Sequence, residues 1–173
     1  MILRCTQKLI TELKKKPAEQ ELEENQLWSW HGNVFLIERR KCVLVTNDLT
    51  RYAIFIPSLK KQDFEAFHMV FGQHLFKNML HENLSQQQIE AVLSQAENIK
   101  YTKSNNRSVL GTMNEQRHII EYSVAAEGGL AGLDIYILHH DLNRIISSAI
   151  GYNYPIEMFK EKLDESTLQH NQG

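Results

Sequence analysis

The chain has 173 residues, of which 42% are hydrophobic and 23% charged, and a formal net charge of −2. Those totals describe one soluble globular domain and exclude a fibrous or disordered chain. No apolar run approaches the roughly 20 residues that cross a bilayer, and 2 cysteines do not make a disulfide framework.

The N-terminus, MILRCTQKLITELKKK, has charges inside its apolar run and no small-residue cleavage site. A cytoplasmic protein with no membrane attachment is therefore expected. Residues 2–5 read as a short strand leading into a helix that Thr6 caps, with Leu9, Ile10 and Leu13 on one face. Pro17 and the acidic run at 19–24 end that helix and form a connection. Trp28 and Trp30 follow, as a stacking platform for bases or as plugs for the open end of the core.

Three apolar runs at 34–37, 42–45 and 53–56 come next, separated by ERRK and NDLTR. This is the signature of a three-stranded antiparallel meander over about residues 31–57, closed by Pro57 and Ser58. A two-residue turn at Arg39-Arg40 would set Phe35 opposite Leu44, Asn33 opposite Thr46 and His31 opposite Asp48. A turn around Asp48-Leu49 would set Thr46 opposite Arg51. One face then carries Phe35, Ile37, Cys42, Leu44, Ala53 and Phe55, and the other Val34, Leu36, Val43, Val45, Tyr52, Ile54 and Ile56. Both faces are apolar, so helices should cover both. Cys5 and Cys42 read as small buried thiols.

A helix over 62–81 repeats Phe64, Phe67, Phe71, Leu75 and Met79 on one face. Ser85 caps a second helix through Ala96, and residues 99–103 form a further strand. Asn105-Asn106 opens another helix. Gly128, Gly129 and Gly132 mark a loop, 133–150 is helical in period, and Pro155 starts a last short helix. Residues 1–163 thus form one α+β domain with a mainly antiparallel sheet, and 164–173 a flexible tail.

Chemistry is sparse in this sequence. HExxH, CxxC and EF-hand patterns are absent, as are Gly-rich nucleotide loops, GxSxG and the RNP patterns of RNA-binding sheets. His74 and His81 lie about 10 Å apart along a helix, too far to share a zinc ion. Neither a metal nor a cofactor is expected.

Three polar groups remain. His31 and Asp48, with Arg51 and Asn33, gather at one end of the meander: Asp48 can orient His31, and Arg51 can hold an anion. An Asx turn and salt bridge pinning the meander explain the same residues. Asn106, Arg107 and Ser108 sit at a helix start, where free N–H groups favour an anion. Arg39, Arg40 and Lys41 form a basic hairpin tip. Residues 1–61 hold 11 Lys/Arg against 7 Asp/Glu, an excess that favours a polyanion or is simply a solvated surface.

In chain order, LRCTQKL, WHGNVFLIERRKCVLVTNDLTRYAIFIPSLKKQDF, NRSVLGTMNE and LNRIISSAIGYNYPIEMF resemble the landmarks of an uncharacterised bacterial family, domain-of-unknown-function family 6933. The resemblance covers roughly residues 1–163. The family pattern carries alanine after the histidine of the WH segment, where this chain has Gly32. It brings no catalytic residue with it. The residues themselves favour a binding module for a phosphate-bearing ligand, a nucleic acid or nucleotide. The alternatives are a metal-independent hydrolase or transferase using His31 as base with Asp48, and an antitoxin- or immunity-type module whose protein partner is encoded nearby.

Overall fold

The structure, a computed structural model, describes residues 1–18 and 25–170. Its elements are β1 (Ile2–Cys5), α1 (Gln7–Leu13), a 3-10 turn (Gln26–Trp28), β2 (Ser29–Ile37), β3 (Arg40–Asn47), β4 (Ala53–Leu59), α2 (Lys61–Glu65), α3 (Phe67–His81), α4 (Gln86–Ala96), β5 (Lys100–Lys103), α5 (Arg107–Ala126), α6 (Ile135–Leu142), a second 3-10 turn (Ser148–Ile150) and α7 (Pro155–His170). The connection expected through 19–24 and the last three tail residues lie outside the described residues.

The α+β class stands, but the sheet is mixed, not mainly antiparallel. Its order is β4-β3-β2-β1-β5. The meander supplies two antiparallel pairs, and β1 runs parallel to both β2 and β5. The meander is therefore one side of the sheet. The local hairpin pattern could not reveal these parallel pairs, because parallel neighbours are joined by a crossover rather than a turn.

Within the meander the face assignment survives while the pairing shifts. The turn is Glu38-Arg39, not Arg39-Arg40, so Ile37 faces Arg40, Phe35 faces Cys42, Asn33 faces Leu44 and His31 faces Thr46. On the next strand Thr46 faces Ala53. Each partner moves by two residues, which leaves every side chain on its own face. Phe35, Ile37, Cys42, Leu44, Ala53 and Phe55 pack with Val109, Met113, Ile120 and Val124 of α5 and with Leu138 and Leu142 of α6. Val34, Val43, Val45, Tyr52, Ile54 and Ile56 pack with α1, α3, α4 and α7. Leu36 departs from this pattern and is 60% exposed. Trp30 is fully buried, edge-on to Tyr52, Phe71 and Phe159, so it is a core residue and not a stacking platform.

Both turn residues have positive φ, 50° at Glu38 and 62° at Arg39. A two-residue hairpin demands this because only such a turn matches the strand twist. Glycine adopts it without the roughly 1–2 kcal/mol penalty of a β-carbon. Arg39→Gly is therefore expected to raise the melting temperature by about 2–4 °C. A lower melting temperature in a thermal scan would contradict this turn.

The helices show four departures from periodicity. α1 stops at Leu13, where Lys14 is left-handed, before Pro17 is reached. The helix expected at 62–81 breaks at Ala66, with Phe64 beneath the Lys41 ammonium and Phe67 starting the buried stripe of α3. The 133–150 segment is helical only to Leu142, because Asn143 turns its amide onto β4. α7 continues past Asp164 to His170, with the Asp164 carboxylate accepting from Gln88 of α4 at 2.8 Å. β4 itself runs on to Leu59 through a bulge opposite Lys41 and Val43, which accommodates Pro57.

β4 is an edge strand, and α6 closes that edge with side chains. The Ala53 N–H donates to Asn143 Oδ1 at 2.7 Å, and Asn143 Nδ2 donates to the Ala53 carbonyl at 2.9 Å. One turn earlier on α6, His139 Nε2 accepts the Phe55 N–H at 2.8 Å. Asn143 and His139 are buried, so backbone groups that an edge would leave unpaired are satisfied without water.

Candidate functional site

Two of the three polar groups meet. His31 on β2 is fully buried, and its Nδ1 lies 2.7 Å from Asp48 Oδ1. The expected register placed these two opposite one another. They meet for another reason: Asn47 Oδ1 accepts from Leu49, Thr50 N–H and Thr50 Oγ1, and this Asx turn folds Asp48 back over β2. The Asn106 N–H at the start of α5 points at His31 Nε2, 3.4 Å away. Because Nε2 accepts, the ring proton belongs on Nδ1, where it donates to Asp48.

Arg51, 6% exposed and at φ 62°, donates through Nη1 to the Asp48 carbonyl and through Nη2 to Ser108 Oγ at 3.1 Å. Burial pulls its pKa down and the Asp48 charge opposes this. Asn106 caps α5, its Oδ1 accepting from the Ser108 and Val109 N–H groups. Asn33 is turned elsewhere: its Oδ1 accepts from Thr6 Oγ1 at 2.9 Å, tying β2 to the start of α1.

Two participants, Arg4 and Gln116, escaped the sequence reading. Arg4 on β1 pairs with His31 in the parallel register, and its Nε lies 3.5 Å from Asp48 Oδ2. Thr46 donates to Gln116 Oε1 at 2.7 Å, and Gln116 Nε2 donates to the Arg51 carbonyl at 3.0 Å. An arginine in the middle of the apolar strand ILRC was the signal for Arg4, since a charge on a buried strand requires a partner. Gln116 carried no such mark.

This cluster is closed. Both nitrogens of His31 are engaged by the protein, and its ring has no exposed surface. Arg4 and Arg51 are also buried, and Asp48 is half-buried with its side chain 7% exposed. The arrangement locks the loop after β3 to β1, β2 and the first turn of α5. The His31 ring itself has no surface open to a substrate, and a general base must reach the proton it abstracts.

Arg107 is exposed at the first position of α5 and has no partner among the described residues. Arg39 and Arg40 are exposed at the hairpin tip, and Lys41 pairs with Glu12 at 2.7 Å. Beside that tip lies a groove of about 520 Å³ lined by Gln7, Lys8, Thr11 and Glu12 of α1, Val34, Phe35 and Leu36 of β2, Lys41 of β3 and Arg117 of α5. The Arg117 guanidinium sits 4.7 Å over the Phe35 ring and pairs with Glu121 at 2.7 Å. Three cations and one carboxylate line this groove in a chain of net charge −2.

Among the described residues no group of three His, Cys, Asp or Glu is placed to hold a metal. Cys5 and Cys42 are buried free thiols, and burial pushes Cys5 up to about 12, away from the reactive thiolate. Among the described residues no helix is long and apolar enough to cross a membrane.

The fold and its polar cluster define an α+β protein built on a five-stranded mixed sheet, with a buried ionic lock and an open cationic groove. The chain belongs to the family described as a domain of unknown function, DUF6933, whose model matches residues 2–158. No curated protein and no solved structure matches it.

Proposed function

We propose that the protein is a binding module whose groove between α1, β2 and α5 takes an anionic ligand. One observation carries this reading: Lys8, Lys41 and Arg117 line an open groove and, with Glu12 on Lys41 and Glu121 on Arg117 counted, leave it net positive on a chain that is acidic overall. Arg39 and Arg40 extend the positive surface along the hairpin from Lys41. A phosphate-bearing ligand such as a nucleic acid strand or nucleotide fits this chemistry, with Arg107 as an outlying contact. His31, Asp48, Arg51 and Ser108 then act from behind, by holding α5 against β2. The hydrolase alternative draws no support from a histidine whose nitrogens are both engaged.

The test is titration of the protein with labelled single- and double-stranded RNA and DNA, and with polyglutamate, at low and physiological salt. Saturable binding that weakens at least about tenfold with salt is expected, since neutralised phosphates release counterions. Lys8→Glu combined with Arg117→Gln should abolish it while the melting temperature stays near that of the parent. Lys8 and Arg117 are surface side chains, and glutamate suits the first turn of α1. Absence of binding to every anion, or binding indifferent to salt and to these substitutions, overturns the reading.

A further inference from the structure

We propose that the groove takes an acidic peptide segment in extended conformation, which adds to β2 as a strand alongside Val34 and Leu36. The proposal rests on the reading of the groove as an anion site and names its occupant.

The backbone geometry points to it. The Thr6 N–H donates to the Gly32 carbonyl at 3.0 Å, whereas the Asp48 N–H donates to the Ser29 carbonyl from the β3 side at 2.9 Å. Backbone direction alternates along a strand, so even-numbered residues of β2 turn their N–H and C=O toward β1 and odd-numbered ones toward β3. β1 pairs with β2 at Ser29 to Gly32, and the chain then leaves the sheet for α1. Among the described residues no strand lies beside the second half of β2 on that side. The N–H and C=O groups of Val34 and Leu36 therefore face the groove, with β3 holding the opposite edge through to Ile37.

Unpaired strand edges are templates for another strand, and proteins usually blunt or cover them. β4 shows the covering device, where Asn143 and His139 take up the outward backbone groups. Among the described residues the second half of β2 has no equivalent. Its flank instead carries Leu36, 60% exposed, between Lys8 and Lys41 on one face of the sheet and Arg117 on the other. A strand laid here meets a cation on either face, and its main chain meets two donors and two acceptors. The same charge argues against a second copy of this chain, which would set one cationic groove against another.

Leu36→Pro isolates the strand contact. Its N–H points out of the sheet, so proline removes a groove donor without touching the β2–β3 ladder. The probe is a dye-labelled, end-capped Glu-Val-Glu-Val-Glu-Val-Glu peptide, with the Lys-Val counterpart and tripolyphosphate as comparisons. The acidic peptide should bind saturably, slow hydrogen exchange at the Val34 and Leu36 amides, and weaken at least tenfold in Leu36→Pro, while the Lys-Val peptide does not bind. Tripolyphosphate should bind the parent and Leu36→Pro alike. If a thermal scan shows Leu36→Pro unfolded, Leu36→Glu carries the test through charge repulsion at an exposed position. Acidic-peptide binding equal in parent and variant, or binding of tripolyphosphate or nucleic acid alone, overturns strand addition but leaves the anion site. Failure of every anion to bind overturns both.

Discussion

Asp48→Ala is expected to cost about 3–5 kcal/mol of folding stability, the penalty for removing one partner from a buried ion cluster. The Asp48 carboxylate faces Arg4, 5% exposed, through one oxygen and His31 through the other, and its charge also supports Arg51, 6% exposed, which bonds the Asp48 carbonyl. Without it His31 loses the acceptor that fixes its tautomer, and the Asn106 N–H loses a well-oriented partner at the start of α5. In a chain of this length the loss lowers the melting temperature by about 10–15 °C. Asp48→Asn should cost less, about 1–3 kcal/mol, because an amide oxygen still accepts the Nδ1 proton. Urea denaturation measures both. A cost below about 1 kcal/mol for Asp48→Ala would show that the cluster is not structural, and would return His31 to consideration as a chemical group.

Acidification should destabilise the fold between about pH 6.5 and pH 4 through His139. Burial holds this imidazole down at about 4 against its ordinary 6.5, with the neighbouring His74 adding to the effect and the contact with the Phe55 backbone opposing it. The unfolded chain takes up a proton as pH falls through 6.5, while the folded one refuses it until about 4. Stability is therefore full above the higher value and is lost as pH falls across that window. The largest loss is about 3 kcal/mol, from 1.36 kcal/mol for each pKa unit. The structural reason is the edge of β4: His139 accepts the Phe55 N–H only when neutral. His139→Gln retains an acceptor and no longer titrates, so its stability should fall less steeply from pH 6.5 to 4 than the parent's, the remaining slope coming from the carboxylates and from His74, whose pKa burial also lowers. Parallel slopes for the two proteins would remove His139 as the cause.

The closed lock and the open groove explain each other. The Asp48 cluster holds the first turn of α5 against β2, and the same helix then presents Arg117 over Phe35 at the groove. A ligand that binds the groove needs the lock intact without touching it. Variants at Asp48 should therefore be judged for folding before any loss of binding is assigned to contact.

What was legible in the sequence was whatever depends on near neighbours. Alternation assigned the meander's two faces because a two-residue error in pairing leaves side chains on the same side. Caps at Thr6, Ser85 and Asn106 were readable because a side chain satisfies an N–H only two or three residues away. Family membership was likewise readable, since it rests on local landmarks spread along the chain.

Other features depended on distant segments. Periodicity carried 133–150 as one helix, but Asn143 leaves the helix to bond Ala53, 90 residues away in sequence. Asp48 and His31 were singled out together, yet Arg4 and Gln116 join them through a parallel strand pair and a helix packing that no local pattern encodes. Of the expected site residues, His31 and Arg51 are buried while Arg39, Arg40, Lys41, Arg107 and Ser108 are exposed, because burial belongs to the assembled layers and not to residue type. The groove is the clearest instance: Leu36 reads as one more core residue of an apolar strand, and only the early departure of β1 from the sheet leaves it and its backbone exposed. Local pattern thus determined the elements and their apolar faces, through spacing and hydrogen bonds of short reach. Tertiary packing decided which polar groups are sealed and which strand edge is open, because both depend on where chain distant in sequence begins and ends beside them.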